Sequence, residues 1–305
     1  MVIKFKQRNQ TSLVLIFRQE KRMEIKNRHT DEVIRTIEGD SLVGVVLTEA
    51  NLSNADLSGV DLSEADLRYA DLTGADLSHT KMRNTDLRGA HLCDSDLSHA
   101  DLTGVIAGGD RPSDAATLCN VILNHSTLSY ADFRGVDLNE VQMKDCICQD
   151  TDFSNANMNR ANLTGSTLTH AMLTNTYLRA ADLSNANLSG SHLNEANLVH
   201  ANLEYSQLCN DENNHSTILA RTHLREAVLT NANLAGSVMR MADLRGANLR
   251  KANLSGSLMG GAVLRGANVA EADFTGVNLD TTTVVNANFS QASNVNMPEY
   301  KKGWH

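Results

Sequence analysis

The sequence predicts an all-β solenoid, a chain wound around an apolar axis. A small–polar–leucine unit recurs every five residues over most of the chain. Gly59, Gly74, Gly89, Gly135, Gly165, Gly246 and Gly276 all fall at the last position of a unit. The two prolines, Pro112 and Pro298, both lie outside the regular units.

The period excludes an amphipathic helix. At about 100° per residue, five residues advance about 500° and scatter the leucines over every side. An extended segment puts alternate residues on one face, so the small residue and the leucine two positions later both point inward. The next two positions break that alternation and require a bend in every unit, where glycine supplies permissive backbone. Proline lacks the N–H that a regular ladder uses, and its exclusion from the units fits the same picture.

In chain order, residues 1–39 precede the repeats. Lys4, Lys6 and Arg8 are followed by a short apolar stretch, Leu13 to Phe17. A signal-peptide core needs roughly 7–15 apolar residues, so this is not read as one. Met23 is a candidate start, with the preceding residues an extension that fits no repeat. Met23 to Asp40 alternates apolar and polar residues around the polar turn His29 to Glu32, the pattern of a β-hairpin that caps the first coil.

The repeats occupy residues 40–291. Their central position falls every fifth residue from Leu42 to Leu102, Leu118 to Leu208 and Leu219 to Phe289, giving 47 units. The centre is Leu in 35, Met in five, Phe in four, Val in two and Cys in one, Cys148. Two interruptions, 103–115 and 209–216, each shift the frame by one residue. Residues 292–305 form a C-terminal cap or tail with Met297, Tyr300 and Trp304; a self-association surface is the alternative role for Tyr300 and Trp304.

Composition narrows the function classes. A formal net charge of -9 and a pI near 5.6 argue against general affinity for nucleic acid or anionic membrane. No run of 18 apolar residues is present to span a bilayer. Charge is uneven: net -7 over 41–102, -5 over 118–208 and +2 over 219–289. The five cysteines, Cys93, Cys119, Cys146, Cys148 and Cys209, are odd in number and form no CxxC pair. They suggest neither a disulfide framework nor a zinc ribbon, and a cytoplasmic location is the simplest fit.

The units ANLSN, ADLSG, VDLSE, ADLRY, ADLTG and ADLSH, from Ala50 onward, resemble the A(D/N)LXX motif of the pentapeptide-repeat proteins. The resemblance covers about 81% of the chain. It implies a right-handed quadrilateral β-helix with four units per coil and about 12 coils, closed by N- and C-terminal caps. At about 4.8 Å per coil the rod would be roughly 55–60 Å long.

No catalytic constellation emerges. Asp56, Asp61, Asp66, Asp71 and Asp76 recur just before the centre and point outward on successive sides, whereas acid–base catalysis needs an enclosed site. No phosphate-binding glycine motif, GxSxG or HExxH occurs. His79 and His99, 20 residues apart, would stack on one face, but two imidazoles without a third ligand read as a solvated ladder. Cys146 and Cys148 both point inward as small hydrophobes. The chain is therefore expected to be no enzyme and to need no cofactor or metal.

The function that remains is recognition of a protein partner by a scaffold or regulator. Loops on a rigid framework are the usual recognition elements, and in some members of the resembling family projecting loops matter for target binding. The candidate contact residues are Gly108, Asp110, Arg111, Pro112 and Asp114 in the first interruption, and Asn210, Asp211, Glu212 and His215 in the second. The resemblance also implies two alternatives: a DNA mimic that binds DNA gyrase, or a bacterial effector or differentiation regulator.

Overall fold

A computed structural model describes residues 21–109 and 111–301. The expected extension before Met23 lies outside the described residues except for its last two positions, and Asp110 and Trp304 lie outside them as well.

Each unit folds for a local reason. The Asp or Asn before the centre turns its side chain back onto the chain: Asp56 Oδ1 accepts the Ser58 N–H at 3.1 Å. The same bond recurs at Asp61, Asp66, Asp71 and Asp76. This Asx-turn accounts for the residue type at that position. The next small residue then closes the bend, as when the Ala55 N–H donates to Leu52 O at 3.0 Å. Two residues past the centre φ is positive, +58° at Glu49, +55° at Asn54 and +67° at Gly59. Non-glycine residues hold most of these corners, so glycine is a preference there and not a requirement.

Twenty residues on, the chain pairs in parallel with itself, as Asp56 with Asp76 and Asp76 with Asp96. Leu57 N–H donates to Asp76 O, and Asp76 N–H to Ala55 O, both at 2.8 Å. Four units thus make one coil, and the fold is a right-handed quadrilateral β-helix. Its four sides are named by their outward polar positions. The first side carries Asp61, Lys81 and Asp101; the second Asp66, Asp86 and Ile106; the third Asp71, His91 and Thr117; the fourth Asp76, Asp96 and Ile122.

The core is the continuous stack of centres and small residues, buried from Leu42 to Ala287. Burying one leucine contributes roughly 1.5–3 kcal/mol before chain entropy is subtracted. Where Ser or Thr replaces Ala at the small position, its hydroxyl commonly donates to a main-chain carbonyl, as Thr85 Oγ1 to Leu62 O and Thr151 Oγ1 to Leu128 O, each at 2.8 Å; the buried Ser257 hydroxyl is an exception. Phe133 and Phe153 stack in the core with centroids 5.7 Å apart.

A solenoid exposes its core at both ends unless something covers it. At the N-terminal end, β1 (Arg22–Asn27) and β2 (Val33–Glu38) form an antiparallel hairpin, and β1 also pairs with β3 (Ala55–Asp56). Ile25 is buried, and Met23, Ile34 and Ile37 pack against the core. At the other end a short 3-10 turn, Glu299–Lys301, places the Lys301 ammonium against three carbonyls of the last turns. Nζ donates to Leu279 O, Asp280 O and Thr282 O at 2.5, 2.6 and 2.7 Å. Met297 packs against the core, and the Tyr300 hydroxyl donates to Asp280 O.

Candidate functional site

The structure narrows the first interruption. Ile106 pairs with Asp86 below and Asp132 above, and Ala107 is fully buried, so Val105–Ile106–Ala107 is a regular unit with Ala at its centre. The true insertion is 110–115, six residues between Gly109 and Ala116, and the Ala116 N–H still closes onto Ala107 O at 2.8 Å. The second insertion, 211–216, is also six residues long. Both lengthen their coil from 20 to 26 residues, as the pairs His91–Thr117 and His192–Ile218 show.

Their positions on the rod are related. The first insertion opens at the corner between the second and third sides, and the second at the corner between the first and second sides. Both therefore border the second side. Four of its strands, at Asp132, Asp152, Met172 and His192, separate the two levels, a distance of roughly 20–25 Å at ordinary strand spacing. The candidate residues of the two insertions do not converge on one point.

This bordered face is part charged and part apolar. Arg134 Nε and Nη2 donate to the two carboxylate oxygens of Asp132 at 2.9 and 2.7 Å. Arg68 clasps Asp66 and Arg88 clasps Asp86 in the same way nearer the N-terminus. The Arg68 hydrogen bond is the main reason the Asp66 pKa falls to about 2. Ile106, Met172 and Leu258 stand exposed on this side.

Just before the first insertion, Gly108 is held tightly: its N–H donates to Asp132 O at 2.8 Å, and a Cβ there would lie 2.6 Å from the Arg134 main-chain nitrogen. Pro112–Asp114 form a 3-10 turn, with the Asp114 N–H donating to Arg111 O at 2.9 Å. The Arg111 side chain is largely exposed and lies 3.9 Å from the Asp114 carboxylate.

The second insertion is clasped to the rod. Asp211 Oδ1 accepts the His215 N–H at 2.6 Å. Its Oδ2 lies 2.7 Å from His215 Nδ1 and 2.6 Å from Nε2 of His170, a corner residue of the rod. Gly190 occupies the corner of the coil between. A Cβ there would lie 2.6 Å from His170 Cδ2 and 3.6 Å from Asp211 Cβ, so glycine leaves room for the clasp. The Asp211 side chain is only 6% exposed. Burial alone would raise its pKa, but hydrogen bonds from His215 and His170 outweigh this and hold the carboxyl well below its ordinary value. The Asn210 amide bonds Asn214 Oδ1 at 2.7 Å, and Glu212 is exposed. A cleft of about 320 Å³ opens here, lined by Gln149, Thr169, His170, Asn187 and Asp211 among others.

Two features escaped the sequence because an insertion hid the register. His79 and His99 stack as expected, with centroids 4.8 Å apart, and His125 extends the stack at 5.0 Å. Cys93 and Cys119 occupy matching positions one coil apart and form a disulfide, a pairing that the odd number of cysteines did not suggest. Their 26-residue separation encloses the first insertion. Cys146 and Cys148 are buried and free; burial pushes the Cys146 thiol up to about 12. Among the described residues no helix is long and apolar enough to cross a membrane.

A family model described as pentapeptide repeats matches the chain in eight copies, at residues 41–78, 70–106, 114–140, 146–185, 176–210, 215–246, 242–280 and 252–293. Residues 107–113 and 211–214, within the interruptions, fall between matched copies. Among solved structures the chain is similar to HetL, a pentapeptide repeat protein involved in heterocyst differentiation regulation from the cyanobacterium Nostoc sp. strain PCC 7120. Identity is 30%, over 81% of this chain and 90% of that one, with a TM-score of 0.24. It is also similar to full-length QnrB1, a plasmid-mediated fluoroquinolone resistance protein, at 16% identity over 86% and 93% of the two chains, with a TM-score of 0.24. A pentapeptide repeat protein of the Arabidopsis thaliana thylakoid lumen shares 24% identity over 41% and 68%, with a TM-score of 0.23. No curated protein matches at a significant level.

Proposed function

Since the chain belongs to the pentapeptide-repeat family, whose members are generally non-enzymatic interaction proteins, we propose that it is a scaffold or regulator that binds a partner protein on the second side of the rod. One observation carries this reading: both six-residue insertions open at the two corners that bound that side. Stacked coils make a stiff surface, and loops at its two edges, at different heights, give a docked partner both position and direction. Between them the face offers the Asp132–Arg134 pair, then Met172 and His192. Such a mixed surface suits a protein partner better than a uniformly charged polymer.

A DNA mimic that engages gyrase calls for a surface of unpaired negative charge. Here the carboxylates of Asp66, Asp86 and Asp132 are each neutralised by an arginine on the same side, and the net charge reverses to +2 over 219–289. The scaffold reading is therefore preferred.

The test is a pull-down from source-cell lysate with four baits: the intact chain, a chain lacking 110–115 and 211–216, Met172→Glu on the second side, and Asn162→Glu on the fourth. A partner held by the intact chain and Asn162→Glu, but lost by the other two, supports the reading. If all four baits retain the same proteins, recognition lies elsewhere. Capture of gyrase by the intact chain would restore the mimic.

A further inference from the structure

We propose that His170, Asp211 and His215 form a binding site for a divalent transition metal, zinc foremost, which locks the second insertion onto the rod. The three ligand atoms lie within 4.8 Å of one another. Two imidazole nitrogens and one carboxylate oxygen are the donor set of zinc sites that keep a fourth position open. This inference does not depend on which protein the rod binds.

Ring orientation separates this cluster from the other histidines. An imidazole lone pair lies in the plane of its ring. The His79 and His99 rings are parallel to within 1° and stacked, so their lone pairs run side by side and cannot meet at one ion. The rings of His170 and His215 stand at 86° to each other, with centroids 5.8 Å apart, and both direct a nitrogen at Asp211 Oδ2. Convergence on one point is what coordination requires.

The surroundings supply the rest of a metal site. His170 Nδ1 faces the Asp150 carboxylate at 3.5 Å, one coil away. When an ion enters, Nε2 gives up the proton it donates to Asp211, and a proton kept at Nδ1 by Asp150 leaves the Nε2 lone pair for the metal, the orienting device that ligand histidines commonly use. Asp211 Oδ1 is engaged by the His215 N–H, which leaves Oδ2 as the donor. The missing Cβ at Gly190 keeps the space between His170 and Asp211 clear, and the adjoining cleft of about 320 Å³ gives an ion its entry path. For metal–ligand bonds of about 2.0–2.1 Å in a tetrahedral site, donor atoms stand roughly 3.3 Å apart. The contacts of 2.6 and 2.7 Å must open by about 0.6–0.7 Å, and the two ring nitrogens, within 4.8 Å of each other, must close on the ion; the insertion that carries both Asp211 and the 67% exposed His215 supplies these movements.

The experiment is calorimetric titration of zinc chloride into the chelator-treated full chain, with cobalt(II) absorption as an independent readout. One zinc per chain is expected, together with the visible band of four-coordinate cobalt. Affinity should fall at least tenfold in His215→Ala and in Asp211→Asn, and stay unchanged in His79→Ala. His215→Ala lies on an exposed loop, so circular dichroism should show the β-helix intact and keep the comparison fair. Absence of stoichiometric binding, or equal affinity in His215→Ala and His79→Ala, overturns the proposal.

Discussion

Replacing Lys301 with methionine should loosen the last coil and leave the rest of the rod untouched. The lysine stem is buried, and its ammonium donates to three main-chain carbonyls at 2.5, 2.6 and 2.7 Å. Hydrogen bonds from a charged donor contribute about 1.5–3 kcal/mol each. Removing the ammonium from water costs several kcal/mol in return, consistent with the lowered pKa that burial gives Lys301. A net loss of about 2–4 kcal/mol follows for Lys301→Met, which keeps the stem and leaves the carbonyls without their donor. A solenoid is coupled mainly between neighbouring coils, so this loss stays local. Hydrogen exchange reads it out residue by residue. The Thr283 and Asn288 amides, bonded to Ala262 O and Ala267 O, should exchange roughly 30- to 700-fold faster. The Leu168 amide in mid-rod, bonded to Asn187 O at 2.6 Å, should not change. Unchanged exchange at Thr283 would show that Lys301 is no cap. Equal acceleration at Leu168 would show that the rod unfolds as one unit, refuting the local scheme.

Two further predictions concern the turns and the disulfide. The pKa values of Asp56 and Asp61 are lowered chiefly by side-chain bonds from Ser58 and Ser63, and that of Asp66 falls to about 2 chiefly through Arg68. Carboxyls with a folded pKa below the unfolded one stabilise the fold above the unfolded value and lose that contribution as pH falls through the folded one. The urea midpoint should therefore hold from pH 7 to 5 and drop between about pH 4 and 2, less steeply in Asp66→Asn. Separately, Cys93→Ser with Cys119→Ser opens a ring of 26 residues, worth up to about 3.5 kcal/mol by chain entropy. The double variant should unfold at lower urea than the oxidised chain and match the wild type under reductant.

The fold was legible because each unit states its own structure. A small residue, an Asx-turn former and a leucine specify one side of the coil wherever they occur, and repetition makes the signal hard to miss. What a period of five does not state is which unit lies above which. That is set by the coil of 20 residues, and it changes to 26 where a loop intervenes. His125 above His99 and Cys119 beside Cys93 were hidden for that reason. Ala107 was hidden by a different one. Its unit carries Val105 at the small position and Ala at the centre, so the larger of the two side chains stands at the small position and the leucine that marks other units is missing. Once Ala107 is counted as a centre, the two interruptions become equal six-residue insertions.

The clasp at Asp211 was beyond local pattern altogether. His170 and Asp211 are 41 residues apart, and they meet only because the insertion folds back across the corner at Gly190. Lys301 is similar: a lysine near a chain end looks like an ordinary solvated charge until the carbonyls of the last turns are seen to face it. In a repeat protein the regular units make the framework predictable and say little about what distinguishes one member from another. The distinguishing contacts arise where the repeat fails, at the insertions and the ends. There a side chain is placed by the three-dimensional stack and not by its neighbours in sequence, so the candidate site must be sought in coil register, with the insertions removed before residues are aligned.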